Sequence, residues 1–173
     1  MPTSPFILDL RKKIGHAPLW LSGVTGYIED AQGRVLLGQR SDTREWAMIY
    51  GVNEPGEEPA VTVAREAKEE AGIDVIVTDL VAVKSSTRMV RYDNGDQAMY
   101  MDHLFLCTLD PQGNGVPFVG DEESLAVGWF ALDSLPKPLA ATTVERMTYV
   151  AEYRRRAKGG NRRALFSFDA HMV

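Results

Sequence analysis

Three glutamates, Glu66, Glu69 and Glu70, crowd into the run AREAKEEAG, and two more, Glu57 and Glu58, lie just upstream in a segment rich in turn formers. At about 100° per residue a helix sets Glu66, Glu69 and Glu70 on one narrow face. Ala60, Ala64, Ala67 and Ala71 fall on the opposite side, with Val61 at their edge. Carboxylates this close repel and raise one another's pKa, and like charges four apart, such as Glu66 and Glu70, disfavour a bare helix. A hard divalent cation, Mg²⁺ or Mn²⁺, relieves the conflict with oxygen ligands. Arg65 stands four residues before Glu69 and eight after Glu57, within reach of orienting a carboxylate from either part. Glu, Lys and Arg beside an alanine face also make an ordinary solvated surface, so the spacing alone leaves both readings open.

The elements on either side must position these groups. Asn53 to Pro59 holds two prolines and a glycine, which bend the backbone rather than continue a periodic element. A helix is expected to begin near Pro59, whose missing N–H costs nothing at a first helical position, and to stop at Gly72. Glu57 and Glu58 sit favourably at its positive end.

Gly51, Glu57 and the run Arg65-Glu66-Ala67-Lys68-Glu69-Glu70-Ala71-Gly72-Ile73 resemble, in identity and in spacing, the signature of the Nudix hydrolases, with every fixed position filled. The resemblance implies an α/β fold, an α/β/α sandwich whose mixed β-sheet is flanked by helices. It implies an enzyme that hydrolyses a nucleoside diphosphate linked to another moiety, with Mg²⁺ (or Mn²⁺) as cofactor. Glu66, Glu69 and Glu70 would hold the metal together with a backbone carbonyl at Tyr50, and Glu57 would reach it directly or through water. Glu57, Arg65, Glu69 and Glu70 are the expected catalytic residues, Arg65 by orienting carboxylates. Phosphoanhydride hydrolysis needs charge neutralisation, an activated water and in-line positioning, which clustered metals can supply. The general base stays open between Glu69 or Glu70 and the loop glutamates Glu122 and Glu123. Ile49-Tyr50-Gly51 departs from the Pro-Gly-Gly turn common in the family, and Asn53 stands where an aliphatic residue is usual, as a candidate substrate or turn contact.

For the substrate, Arg40, Arg44, Arg88 and Arg91 are candidates to meet phosphates, and Trp46, Tyr92 or Tyr100 to stack on a base. Asp102 and His103 face opposite ways on one strand, so only one of them can look into a pocket. The substrate class stays open. Met89 stands where ADP-ribose-cleaving members often carry proline, Tyr92 falls late for the tyrosine of dinucleoside polyphosphate members, and Leu36 to Ser41 echoes coenzyme A pyrophosphatases only in part. A catalytically silent nucleotide-binding or sensing module is the alternative. An isomerase of the same fold would need an active-site cysteine, and Cys107 in a buried-looking strand suits that poorly.

The 173 residues, 45% hydrophobic, fit one domain able to bury a core. We divide them into an N-terminal extension (1–20), a Nudix domain (21–158) and a C-terminal tail (159–173). A net charge of −5 disfavours stable nucleic-acid binding and anionic membranes, though not a metal-neutralised phosphate substrate. One cysteine rules out an intrachain disulfide and a cysteine-based zinc cage. No long apolar run occurs, so a cytoplasmic protein with no membrane partner is expected, and the resemblance adds a homodimer. Strands are expected at 21–29 and 34–40, as a hairpin, then at 73–84, 98–109 and 125–131. A closing helix over 140–157 would pack through Val144, Met147, Val150 and Ala151. The first twenty residues read as a short strand or a helix turn, packed on the body or on a second subunit.

Overall fold

A computed structural model of the chain describes residues 4–167. Eleven elements follow in order: α1 (Pro5–Ile14), β1 (Leu19–Glu29), β2 (Val35–Arg40), β3 (Trp46–Ala47), β4 (Ile49–Val52), α2 (Pro59–Ala71), β5 (Val75–Ser85), β6 (Val90–Arg91), β7 (Gln97–Leu109), β8 (Ser124–Phe130) and α3 (Ala141–Lys158). The strands form one eight-stranded mixed sheet. Its centre is β1, which runs parallel to β7 along its whole length, from Leu19 opposite Ala98 to Glu29 opposite Thr108. On its other side β1 pairs antiparallel with β4, and β5 lies antiparallel on the far side of β7.

The two faces of β1 carry different cores because side chains alternate along a strand. Val24 and Ile28 point toward α2 and join Ile49, Val63, Ala67 and Ile73, while Tyr27 points to the opposite core with Leu37, Leu104, Val150 and Tyr153 of α3. The sheet is thus sandwiched between α2 and α3.

The expected hairpin of 21–29 with 34–40 is only its root. β1 and β2 meet at Glu29 opposite Val35 and then diverge, because β4 takes the antiparallel place beside β1. β2 pairs instead with β8 and β3. The bend foreseen in the strand after α2 occurs as two register shifts in β5, between Val77 and Asp79 and between Leu80 and Ala82.

Of the options for the first twenty residues, the chain takes the helix, capped by Ser4, whose Oγ accepts from the Phe6 N–H. It packs on the body: Arg11 donates to the carbonyls of Gly15, Ala17 and Gln97, and Ser4 Oγ donates to Glu54. Leu19 and Trp20 already belong to β1. In α3 the packed face is Thr143, Val150 and Tyr153, with Met147 partly buried; Val144 and Ala151, expected inside, are exposed. Part of the tail lies on the sheet edge, where Leu165 exchanges backbone hydrogen bonds with Val81 and Val83. Among the described residues no helix is long and apolar enough to cross a membrane.

Candidate active site

α2 begins with Pro59 after Glu58 and ends where Gly72 takes a left-handed conformation (φ 67°), its N–H returning to the Lys68 carbonyl. The face it buries differs from expectation. The buried stripe is Thr62, Val63, Glu66, Ala67, Glu70 and Ala71, while Val61 is 58% exposed and Ala64 half-buried. Glu66 and Glu70 therefore lie beside the apolar stripe, not opposite it, and Glu69 alone sits at the solvent edge.

Glu66 is fully buried. It fits because β4 offers no side chain at Gly51: a Cβ there would stand 2.1 Å from Glu66 Oε1. Arg65 Nη1 approaches Oε1 at 3.0 Å, but neither Glu66 oxygen accepts an aligned hydrogen bond. Burial, reinforced by the charge of Glu69 and opposed by Arg65, pushes the Glu66 carboxyl up to about 7. Glu70, also buried, is held well above the usual carboxylate range by burial and by the charges of Glu66, Asp121 and Glu123.

Arg65 organises the rest. Its Nε and Nη2 donate to the two oxygens of Glu57 at 2.9 and 3.1 Å, and its Nη1 donates to Glu69 at 3.0 Å. This guanidinium pulls Glu57 down to about 2 against the cost of burial, helped by the Thr62 hydroxyl. Asn53 belongs to the same scaffold as a turn contact: its side chain accepts from Ser22 Oγ and donates to Thr62 Oγ1, whose hydroxyl donates to Glu57. Among the described residues no three acidic, histidine or cysteine side chains form a ready cation cage. Arg65 instead stands among Glu57, Glu66 and Glu69 as their counter-ion.

The loop before β8 is docked on the end of α2. Phe118 and Gly120 donate N–H groups to the carbonyls of Ala71 and Glu70, both at 3.0 Å. At Gly120 a Cβ would stand 1.9 Å from the Glu69 carbonyl oxygen, so the approach needs glycine. This docking carries Asp121 and Glu123 to Glu70.

Residues 20–150 match the NUDIX domain family, well over half of the chain. The chain belongs to the Nudix family. It is 35% identical over 131 residues to a MutT-like protein of Streptomyces ambofaciens, covering 75% of this chain and 76% of that one. Among solved structures, a MutT NUDIX hydrolase from Burkholderia pseudomallei matches at 28% identity and a TM-score of 0.59, over 76% of this chain and 98% of that one. An ADP-ribose pyrophosphatase from Streptococcus suis matches at 26% identity and a TM-score of 0.61, over 86% and 98%. The chain is a Nudix hydrolase acting on phosphoanhydrides.

On this Nudix scaffold Glu57, Arg65, Glu66, Glu69 and Glu70 come together, as does Glu123, which lies 3.4 Å from Arg40 Nη1. Glu122 is exposed. Tyr50, named for its carbonyl, sets its ring on the α3 side of the sheet, between Arg40 and Arg146 at 5.1 and 5.8 Å. Trp46 is partly buried against the core on the α3 side, edge-on to Phe130 at 4.8 Å. Arg44, exposed in the turn after β2, and Arg88, exposed with its backbone tied to Ser86, are not drawn to the carboxylates. Tyr92 meets Tyr100 hydroxyl to hydroxyl at 2.5 Å. His103 bonds the Gly23 carbonyl, whereas Asp102 accepts from Thr25 and Arg146. Cys107 is a buried core thiol pushed up to about 12 by burial. Two cavities of about 390 and 260 Å³ open along α3, and neither is lined by α2. The sequence reading missed Asp121 and Arg146. Asp121 had a signal, an acid in the same loop as Glu123, while Arg146 looked like one more basic residue of a surface helix.

Proposed function

We propose that the protein is a divalent-metal-dependent pyrophosphohydrolase that cleaves the phosphoanhydride of a nucleoside diphosphate linked to another moiety. Glu66 carries this reading. A fully buried carboxylate whose oxygens accept no aligned hydrogen bond, next to buried Glu70, has as its counter-ion only the Arg65 guanidinium, 3.0 Å from one oxygen and shared with Glu57 and Glu69, so the pair favours a further cation. The surrounding donors are all oxygen, from Glu57, Glu66, Glu69, Glu70 and the Tyr50 carbonyl, and they suit Mg²⁺ or Mn²⁺ rather than a thiol-seeking metal. Such an ion, when bound, supplies Lewis acidity and charge neutralisation at the phosphoanhydride.

The chain's own residues do the rest. Arg65 fixes the directions of Glu57 and Glu69, one from the loop and one from the helix. Glu70 sits where its proton affinity is raised, which suits it to take a proton from the attacking water, and Glu123 is the second candidate for that base. Similarity to an ADP-ribose pyrophosphatase puts ADP-ribose on the panel, while Met89 weighs against it. A cytoplasmic location and a homodimer are expected alongside.

The test is a hydrolysis screen over nucleoside triphosphates, nucleotide sugars, ADP-ribose, dinucleoside polyphosphates and coenzyme A, with Mg²⁺, Mn²⁺ or chelator. We expect turnover only with metal, and a loss of about 100-fold or more in Glu69→Gln and Glu70→Gln, as for misplaced catalytic groups. Turnover that survives chelator and both substitutions would refute the reading. Nucleotide binding without any turnover would favour a sensing module instead.

A further inference from the structure

Tyr50 and Thr25 are cross-strand partners on the α3 side of the sheet, and Asp102 lies on the same side of β7, two residues from Leu104, the partner of Thr25. Two arginines flank the Tyr50 ring, and their guanidinium groups are in different states. Arg40 is spent: its Nε and Nη2 donate to Asp42 at 3.0 and 2.8 Å, and its Nη1 faces Glu123 at 3.4 Å. Arg146 is not. Its Nε donates to Asp102 Oδ2 at 2.9 Å, and Asp102 Oδ1 accepts from Thr25 Oγ1 at 2.8 Å. Among the described residues nothing accepts a hydrogen bond from the two terminal nitrogens of Arg146, although the side chain is only 17% exposed.

An arginine oriented through Nε by a carboxylate, with its outer N–H edge open, is arranged for a planar or tetrahedral oxyanion. Its ordering cost has already been met within the folded protein. The Tyr50 ring links it to the acidic loop on α2, since the ring lies 5.8 Å from Arg146 and 5.1 Å from Arg40, whose Nη1 is 3.4 Å from Glu123. We propose that Arg146 binds a phosphate group of the substrate, held in place by Asp102 and packed on Tyr50, and so selects for polyphosphorylated ligands. That the bound phosphate belongs to a substrate rests on α2 being the phosphoanhydride-cleaving centre. Asp102 is a positioning residue for Arg146.

The probes are ATP and adenosine, titrated calorimetrically into wild type, Arg146→Gln, Arg146→Lys and Asp102→Asn in the presence of Ca²⁺, with thermal melting as a check on folding. A charge-assisted bond to phosphate predicts that Arg146→Gln weakens ATP binding roughly 10- to 100-fold and leaves adenosine unchanged. Arg146→Lys keeps a positive charge but not the fork, and should recover only part of the loss. Asp102→Asn should weaken ATP less than Arg146→Gln, and raise KM without lowering kcat where turnover is measured. Unchanged ATP affinity in both Arg146 variants would overturn the proposal, as would equal losses for ATP and adenosine. Hydrolysis measured in parallel separates the two readings. ATP binding that depends on Arg146 in a protein with no turnover overturns the function proposed above and supports this site. Turnover with unchanged affinity in both variants does the reverse.

Discussion

Replacing Gly51 by alanine puts one methyl group where the chain has left no room. The new Cβ would stand 2.1 Å from Glu66 Oε1, 2.2 Å from its Cδ and 2.5 Å from its Cγ, against an ordinary contact of at least 3.4 Å. Over 1 Å of movement is therefore required. A carboxylate at the surface would swing away at little cost, but Glu66 is fully buried and has nowhere to go. In an open strand the same change stabilises by roughly 0.5–1 kcal/mol, because glycine loses more backbone entropy on folding. Overpacking a closed site costs about 1–3 kcal/mol. The clash outweighs that gain by up to about 2.5 kcal/mol, and for a domain of this size the melting temperature should fall by up to about 10 °C.

Activity should fall further than stability, since a displacement near 1 Å in a catalytic constellation costs about 100-fold. Melting by circular dichroism and kcat/KM on the best substrate of the screen measure the two effects. The double variant Gly51→Ala with Glu66→Ala isolates the cause: shortening the glutamate removes the colliding atoms, so the coupling energy should recover most of the lost stability. A Gly51→Ala protein as stable and active as wild type, or a double variant with no recovery, would refute the packing argument.

Gly120→Ala collides with backbone, at 1.9 Å from the Glu69 carbonyl oxygen, and should lift Asp121 and Glu123 from the site; kcat should drop about 10- to 100-fold, with a smaller melting shift than Gly51→Ala. Thr143→Val keeps shape but removes the hydroxyl that accepts the buried Met48 N–H at 3.1 Å, so urea unfolding should show a loss of about 1–3 kcal/mol at unchanged m. Glu66→Gln removes a buried charge and leaves Arg65 its bonds to Glu57 and Glu69; the metal-free protein should melt higher, gaining about 1 kcal/mol, and lose most of the stabilisation that Mg²⁺ or Mn²⁺ confers. Ending the chain after Asn161 strips Leu165 from the β5 edge, and concentration-dependent association should appear on size-exclusion chromatography.

The bounds of α2 were legible because their signals are local: Pro59 at the first turn and Gly72 in the left-handed region decide them with no distant partner. Its buried face was not. Val61 and Ala64 are apolar by type, and only the sheet and the docked loop decide that Glu66 and Glu70 go inward in their place. The same limit applies to the substrate side. Trp46 is a stacking candidate by type, and its edge contact with Phe130, far along the chain, could not be read from the sequence. Arg146 acquires meaning only from Asp102 and Tyr50, which lie on two different strands. Residue type sufficed for the carboxylates because the Nudix signature confines them to one helix and one loop, whereas the Arg146 cluster is assembled from α3, β7 and β4.

The two glycines at the site explain how a helix so acidic can be packed at all. At Gly51 the sheet comes against one side of α2, and at Gly120 the loop comes against its C-terminal carbonyls; in both cases the missing side chain is what allows contact. The two approaches shut water out around Glu66 and Glu70 and raise their proton affinity. A cation in that place meets carboxylates that solvent does not screen, so it should bind more tightly than at four exposed glutamates of equal spacing. Under the function proposed here the fold would accept a less stable metal-free state in return, tying the cost of the buried carboxylates to the affinity of the site. Glu66→Gln should therefore move stability and metal binding in opposite directions, whereas a substitution acting through the fold alone would lower both.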